Sequence, residues 1–148
     1  VRRALPALLA AALLLALPTS ADLGQLLPVD GAFRLLAARR DGDAIVVSWL
    51  IVPGYYLYRN RVQIRATRPA GVRLQPPQLP EAARLAAAEP ESADAHPAIY
   101  RIALRAVLHW DSAGPAPRQL AVSYQGCADA GFCYPPQTRT LDVAGPSP

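Results

Sequence analysis

The chain has 148 residues, 52% of them hydrophobic, and a formal charge of +4, which leaves room for one domain with a modest core and none for a second. All 15 basic residues are arginine. They are scattered apart from Arg59, Arg61, Arg65 and Arg68, and no basic patch is interleaved with aromatics, so nucleic acid is not an expected partner.

The chain opens with Arg2 and Arg3, an apolar run from Ala4 to Leu17, and the small residues Thr19, Ser20 and Ala21. This is the order of a secretory signal, and its 14-residue core is short of the roughly 20 apolar residues of a spanning helix. Residues 1–21 are therefore expected to direct export, leaving a domain at 22–143 and a tail or linker start at 144–148. Without the leader the charge falls to +2, 13 basic residues against 11 acidic.

From Phe33 onward the apolar period is nearer two than 3.6, which predicts strands. Phe33–Arg40 and Ala44–Val52 flank Asp41-Gly42-Asp43 and read as an antiparallel pair. Short strands follow at Tyr55–Arg59, Gln63–Thr67 and Gly71–Leu74. Gln75 to Pro97 then breaks the pattern with five prolines and an alanine-rich middle, Glu81–Glu89, able to form two helical turns at most. Such an excursion is a lid or an insertion. Ile99–Trp110 alternates cleanly: Tyr100, Ile102, Leu104, Ala106, Leu108 and Trp110 on one face, Arg101, Arg105 and His109 on the other. Leu120–Tyr124 and Arg139–Val143 complete a set that predicts an all-β sandwich with a long cap-like loop.

Both cysteines, Cys127 and Cys133, lie in YQGCADAGFCYPPQT, Tyr124 to Thr138, among Gly126, Gly131 and Pro135-Pro136. These turn formers bring the thiols together, and in an oxidising compartment they would pair. A structural pin is the ordinary role of such a pair in a small secreted domain. Against that, a bridge closing so short a loop removes little unfolded-state entropy, and a local surface bridge is open to attack by an outside thiolate. A redox pair and a pin in a non-catalytic secreted binding module thus both remain open on the residues. Asp129 would disfavour a thiolate if close, and no lysine or histidine is adjacent in sequence. Zinc is not expected: the cysteine spacing is too wide, and His109 alternates onto a polar face, with His96 the only other histidine. Nothing places either histidine beside a cysteine for Cys-His catalysis.

The cysteine segment YQGCADAGFCYPPQTRTL, with GYYLYRNRVQI at Gly54–Ile64 and IYR at Ile99–Arg101, resembles the N-terminal periplasmic domain of the bacterial thiol:disulfide interchange protein DsbD, over roughly Pro28 to Val143. The resemblance implies an immunoglobulin-like β-sandwich, exported to the periplasm and monomeric, acting as a protein-disulfide reductase component without metal, flavin or nicotinamide. It implies that Cys127 and Cys133 are the redox pair, that Cys133 forms the mixed disulfide and that Cys127 resolves it. Tyr56 and Tyr58 match aromatics that stand beside the pair, and Phe132 is expected to pack under the loop. Electrons would come from a membrane-embedded cysteine domain through a thioredoxin-like domain of a membrane reductase. They would pass to periplasmic disulfide isomerases and to the thioredoxin-like protein of cytochrome c maturation. In the family an acidic cap loop with an aromatic shields the cysteines. The equivalent loop here, about Glu81 to Ala98, has no aromatic but keeps Glu89, Glu91 and Asp94, so a different or leaky shield is expected, and with a leaky one a regulator competing for electrons. Full-length members continue into eight membrane helices and a thioredoxin-like domain, so this chain is expected to act with a separately encoded reductase or to be a truncated product.

Overall fold

The computed structural model describes residues 25–85 and 97–145. The expected leader, the cap-loop residues Glu89, Glu91 and Asp94, and His96 lie outside the described residues.

The chain enters through a single helical turn, α1 (Val29–Ala32), opened by the Pro28 carbonyl, which accepts the amides of Gly31 and Ala32. β1 (Phe33–Leu35) and β2 (Ala38–Asp41) both run antiparallel to β3 (Ala44–Ile51). Leu35 faces Trp49 whereas Arg39 faces Val46, so the strand expected at Phe33–Arg40 carries one extra residue. The resulting bulge at Leu36-Ala37 splits it in two. β4 (Tyr55–Tyr58), a 3-10 turn (Arg59–Arg61) and β5 (Gln63–Arg68) follow. The strand expected at Gly71–Leu74 reduces to an isolated bridge between Leu74 and Trp110.

Within the alanine-rich middle, the described part is not helical: β6 (Ala83–Arg84) pairs with β7 (Ala98–Tyr100). The single strand expected at Ile99–Trp110 is also interrupted. β7 pairs with β4 in a small sheet and β8 (Ala103–Leu108) with β3 in a large one, so the chain crosses between sheets at Arg101-Ile102. Ile102 makes that crossing with φ 67°, and its side chain, predicted to be inside, is 75% exposed. A β-branched residue with positive φ is rare. It is held by its carbonyl, which accepts the amide of Ile51. β9 (Gln119–Tyr124), β10 (Gly126–Ala128) and β11 (Gln137–Ala144) complete the chain.

The large sheet has seven strands, with β8 on one side of β3, β1 and β2 on the other, then β11, β9 and β5. Among the described residues its two halves are joined as one sheet where β11 pairs in parallel with β2, at Val143 with Ala38 and Ala144 with Arg39. They fold over one another, so that Trp49 of β3 meets Tyr124 of β9 edge to face at 5.9 Å. The small sheet, ordered β10-β4-β7-β6, closes one end. The result is an immunoglobulin-like β-sandwich. Alternation on β8 buries Leu104, Ala106 and Leu108, while Ile45, Val47, Trp49 and Ile51 come from β3. Each buried Leu or Ile contributes about 2 kcal/mol.

Candidate redox site

The small sheet has two apolar faces, and the site lies on the outer one. Tyr55, Leu57, Tyr100 and Ala128 point into the main core. Tyr56, Ile99 and Cys127 form a second cluster with Tyr58 and Leu85 packed against it. β10 brings Cys127 opposite Tyr56 and Gly126 opposite Leu57. Gly126 is required by this close approach: a Cβ there would lie 2.5 Å from the Tyr56 carbonyl oxygen and 2.6 Å from Cε1 of Phe33.

Beyond β10 the chain doubles back. The Phe132 carbonyl accepts the Ala128 amide at 2.7 Å, the Gly126 carbonyl accepts the Tyr134 amide at 3.0 Å, and Gly131 turns the corner with φ 93°. Cys127 and Cys133 thereby face each other across a tight antiparallel bridge and form a disulfide. The two sulfurs differ sharply in access, since Cys127 is wholly buried and Cys133 is exposed.

The Tyr58 hydroxyl donates to Sγ of Cys127 at 3.6 Å, and the Tyr56 and Tyr58 rings meet edge to face at 5.4 Å. The two tyrosines singled out in the sequence thus stand against the inner cysteine. Phe132 is 38% exposed, its ring edge-on to Tyr134 at 5.0 Å. Tyr134 itself packs edge to face on Phe33, and its hydroxyl donates to the Leu27 carbonyl at 2.6 Å. The Leu27 amide in turn donates to the Tyr55 hydroxyl at 3.0 Å, so the entering chain is fastened to this end of the sandwich.

Asp129, feared as an obstacle to a thiolate, is engaged. Arg101 grips its carboxylate through both terminal nitrogens, at 2.8 and 3.0 Å, and lies over the Tyr56 ring at 5.1 Å. Sequence reasoning placed Arg101 merely on the polar side of a strand. A pointer was present, because Arg101 closes the IYR segment that carried part of the family resemblance. Leu85 carried no such signal, being one aliphatic residue in an alanine-rich stretch. His109 follows the end of β8, beside Asp43, Gln75 and Trp110, in a different part of the fold. Among the described residues no three of His, Cys, Asp and Glu gather as a metal set.

Burial is the chief reason the Tyr56 hydroxyl is pushed up to about 12; the Tyr58 hydroxyl and the Asp129 charge add to it and Arg101 partly offsets it. A raised value in the folded state means the fold holds this proton more tightly than the unfolded chain, whose tyrosines ionise near pH 10. The stability involved is complete below about pH 10 and is lost as pH rises towards about 12. Tyrosinate absorbance should therefore continue to rise well above pH 10, and Tyr56→Phe should reduce that late rise without abolishing it, because burial also pushes up Tyr100, Tyr124 and Tyr134; ionisation complete near pH 10 would contradict the burial seen here.

The family profile described as "Thiol:disulfide interchange protein DsbD, N-terminal" matches residues 24–145. The chain belongs to the DsbD N-terminal family. It is 39% identical over 131 residues to DsbD 2 of Pseudomonas aeruginosa, covering 88% of this chain and 20% of that protein. To DsbD of Cronobacter sakazakii it is 40% identical over 126 residues, covering 84% and 20%. The chain therefore spans about a fifth of the length of these DsbD relatives. Among solved structures it is similar to the DsbD N-terminal domain of Neisseria meningitidis in the reduced form, with a TM-score of 0.68, 26% identity, and coverage of 84% of this chain and 94% of that one. It is also similar to a chain from the complex between the DsbD N-terminal and PilB N-terminal domains of that organism, with a TM-score of 0.64 at 26% identity, covering 80% and 87%. The agreement with DsbD N-terminal domains extends over nearly the whole described sandwich, cysteine hairpin included.

Proposed function

We propose that this chain is a periplasmic thiol:disulfide exchange domain that passes electrons through Cys127 and Cys133 to oxidised thioredoxin-fold proteins. The observation that carries the reading is the unequal access of the two sulfurs within one local disulfide, Cys133 exposed and Cys127 buried under Tyr56 and Tyr58. Sequential exchange needs one sulfur that a partner can reach and a second held back to resolve the mixed disulfide, and this arrangement supplies both.

In the reduced domain the Cys133 thiolate attacks one sulfur of the partner's disulfide. That S–S bond breaks, the partner's other cysteine leaves as a thiolate and takes up a proton, and a mixed disulfide joins the two proteins. Cys127, deprotonated, then attacks Sγ of Cys133. The partner's first cysteine leaves as a thiolate and is protonated in turn. Two electrons and two protons have moved to the partner, and the domain is left with its internal disulfide. The Tyr58 hydroxyl, positioned to donate to Sγ of Cys127, would favour the thiolate form of the resolving cysteine. A dithiol donor, the thioredoxin-like domain of a membrane reductase, regenerates the pair by attacking the exposed Cys133 sulfur. Disulfide isomerases and the thioredoxin-like protein of cytochrome c maturation are the proposed acceptors, and the leader at 1–21 the proposed route of export.

The test is the reduction potential of the pair, obtained by equilibrating the domain in thiol buffers and counting free thiols by mass spectrometry. A value between about −180 and −270 mV, reached rapidly, supports exchange; one below about −300 mV, reached slowly, supports a structural pin instead.

A further inference from the structure

The Arg101–Asp129 pair calls for an explanation that stability does not supply. Its side chains are 37% and 48% exposed, and exposed ion pairs contribute little to folding. Yet its geometry is specific. The guanidinium forks both carboxylate oxygens while stacked on Tyr56, the residue opposite Cys127 in the ladder. Extending the β4–β7 register from Leu57 with Tyr100 places Arg101 beside Tyr56, so Cys127, Tyr56 and Arg101 form one row across the outer face. Asp129 lies inside the hairpin that separates the two cysteines, and its amide is fixed to the Gly54 carbonyl at 2.8 Å. Among the described residues, the charged and titratable groups that β4, the end of β7 and the hairpin bring to this face are Tyr56, Tyr58, Arg101 and Asp129. Asp129 is thus the described carboxylate nearest in sequence to both cysteines, and Arg101 is the cation that answers it.

We propose that Arg101 is a positioning residue for the thiol chemistry: by forking Asp129 it holds the hairpin and cancels the carboxylate charge beside the pair, so that Cys133 ionises in the reduced domain. Without Arg101, the Asp129 carboxylate, in the same short hairpin as Cys133, is left uncompensated, and a like charge nearby raises a thiol's pKa. Fast exchange near neutral pH then depends on a residue that touches neither sulfur. The role rests on the exchange function proposed above, but its test does not require a protein partner.

The experiment is the pH profile of Cys133 alkylation by iodoacetamide in the otherwise full chain carrying Cys127→Ser, where Cys133 is the single thiol. Arg101→Ala should move the midpoint up by about one pH unit. Adding Asp129→Asn should return it to the parent value, a rescue that a merely structural role would not give. Asp129→Asn with Arg101 intact should move the midpoint down, and this variant decides the matter if Arg101→Ala does not fold. Arg101→Lys should fall between the parent and Arg101→Ala, since it keeps the charge but not the fork. No shift in Asp129→Asn, or a rise with Arg101→Ala that Asp129→Asn does not relieve, would overturn the proposal. A parent domain that ionises as described but exchanges with no thioredoxin-fold protein would instead count against the exchange function.

Discussion

Cys133→Ser should reduce thiol transfer to background, while Cys127→Ser should convert a transient encounter into a covalent adduct. The difference follows from access. An incoming thiolate or disulfide can meet the exposed Cys133, whereas Cys127 is wholly buried within the cluster of Tyr56 and Ile99. With Cys133 removed, no sulfur remains for a partner to reach. With Cys127 removed, the first exchange proceeds and this chain has no nucleophile for the second, so the mixed disulfide accumulates until the partner's own freed thiolate reverses it. Both variants should remain folded, because a bridge closing so short a loop stabilises by roughly 2 kcal/mol in the chain-entropy account. The measurement is non-reducing electrophoresis and intact mass after mixing with an oxidised thioredoxin-fold protein. An adduct of the summed mass is expected for Cys127→Ser, held by an acid quench before the partner's second cysteine reverses it, and none for Cys133→Ser. The reverse pattern would show that the buried cysteine meets the partner, and would sink the assignment of roles.

The second large effect is on stability. Gly126→Ala should cost about 3 kcal/mol, at the upper end of what overpacking a core usually costs. The added Cβ meets two neighbours that cannot easily yield. One is the Tyr56 backbone carbonyl, fixed in the ladder between β4 and β10, and the other is the ring of Phe33, itself clamped edge to face by Tyr55 and Tyr134. Relief would require β10 to move away from β4, displacing Cys127. Urea denaturation should therefore show a lower midpoint with an unchanged slope, and the variant should alkylate faster at Cys127 when reduced. A loss under 1 kcal/mol would mean that β10 is much less tightly held than its register implies.

The strands were legible because burial follows a period of two. Ala103–Leu108 alternates in sequence and in space alike, whereas Ala44–Ile51 reads as an almost continuous apolar run and alternates only in burial. Ile102 was misplaced for a reason alternation cannot carry: a strand that leaves one sheet for another keeps its sequence rhythm while its backbone turns, and the next apolar residue swings outward. The disulfide partners were legible as a local pattern, and Tyr56 and Tyr58 through the family resemblance. The grip of Arg101 on Asp129 joins residues 28 apart and depends on the β4–β7 register, which no single-sequence pattern specifies. The short strands β6 and β10 were missed because two or three residues show no period at all.

The narrow parallel seam between β2 and β11 also has a kinetic meaning. Val143 and Ala38 stand roughly a hundred positions apart along the chain, so closing them costs loop entropy before any contact offsets it. Neither half of the large sheet can be locked to the other until the last strand has been made. The domain therefore belongs with the slow, high-contact-order folders, on the order of milliseconds to seconds rather than microseconds. The cysteine hairpin, which needs only its own few residues and β4, can assemble before the sandwich around it has closed.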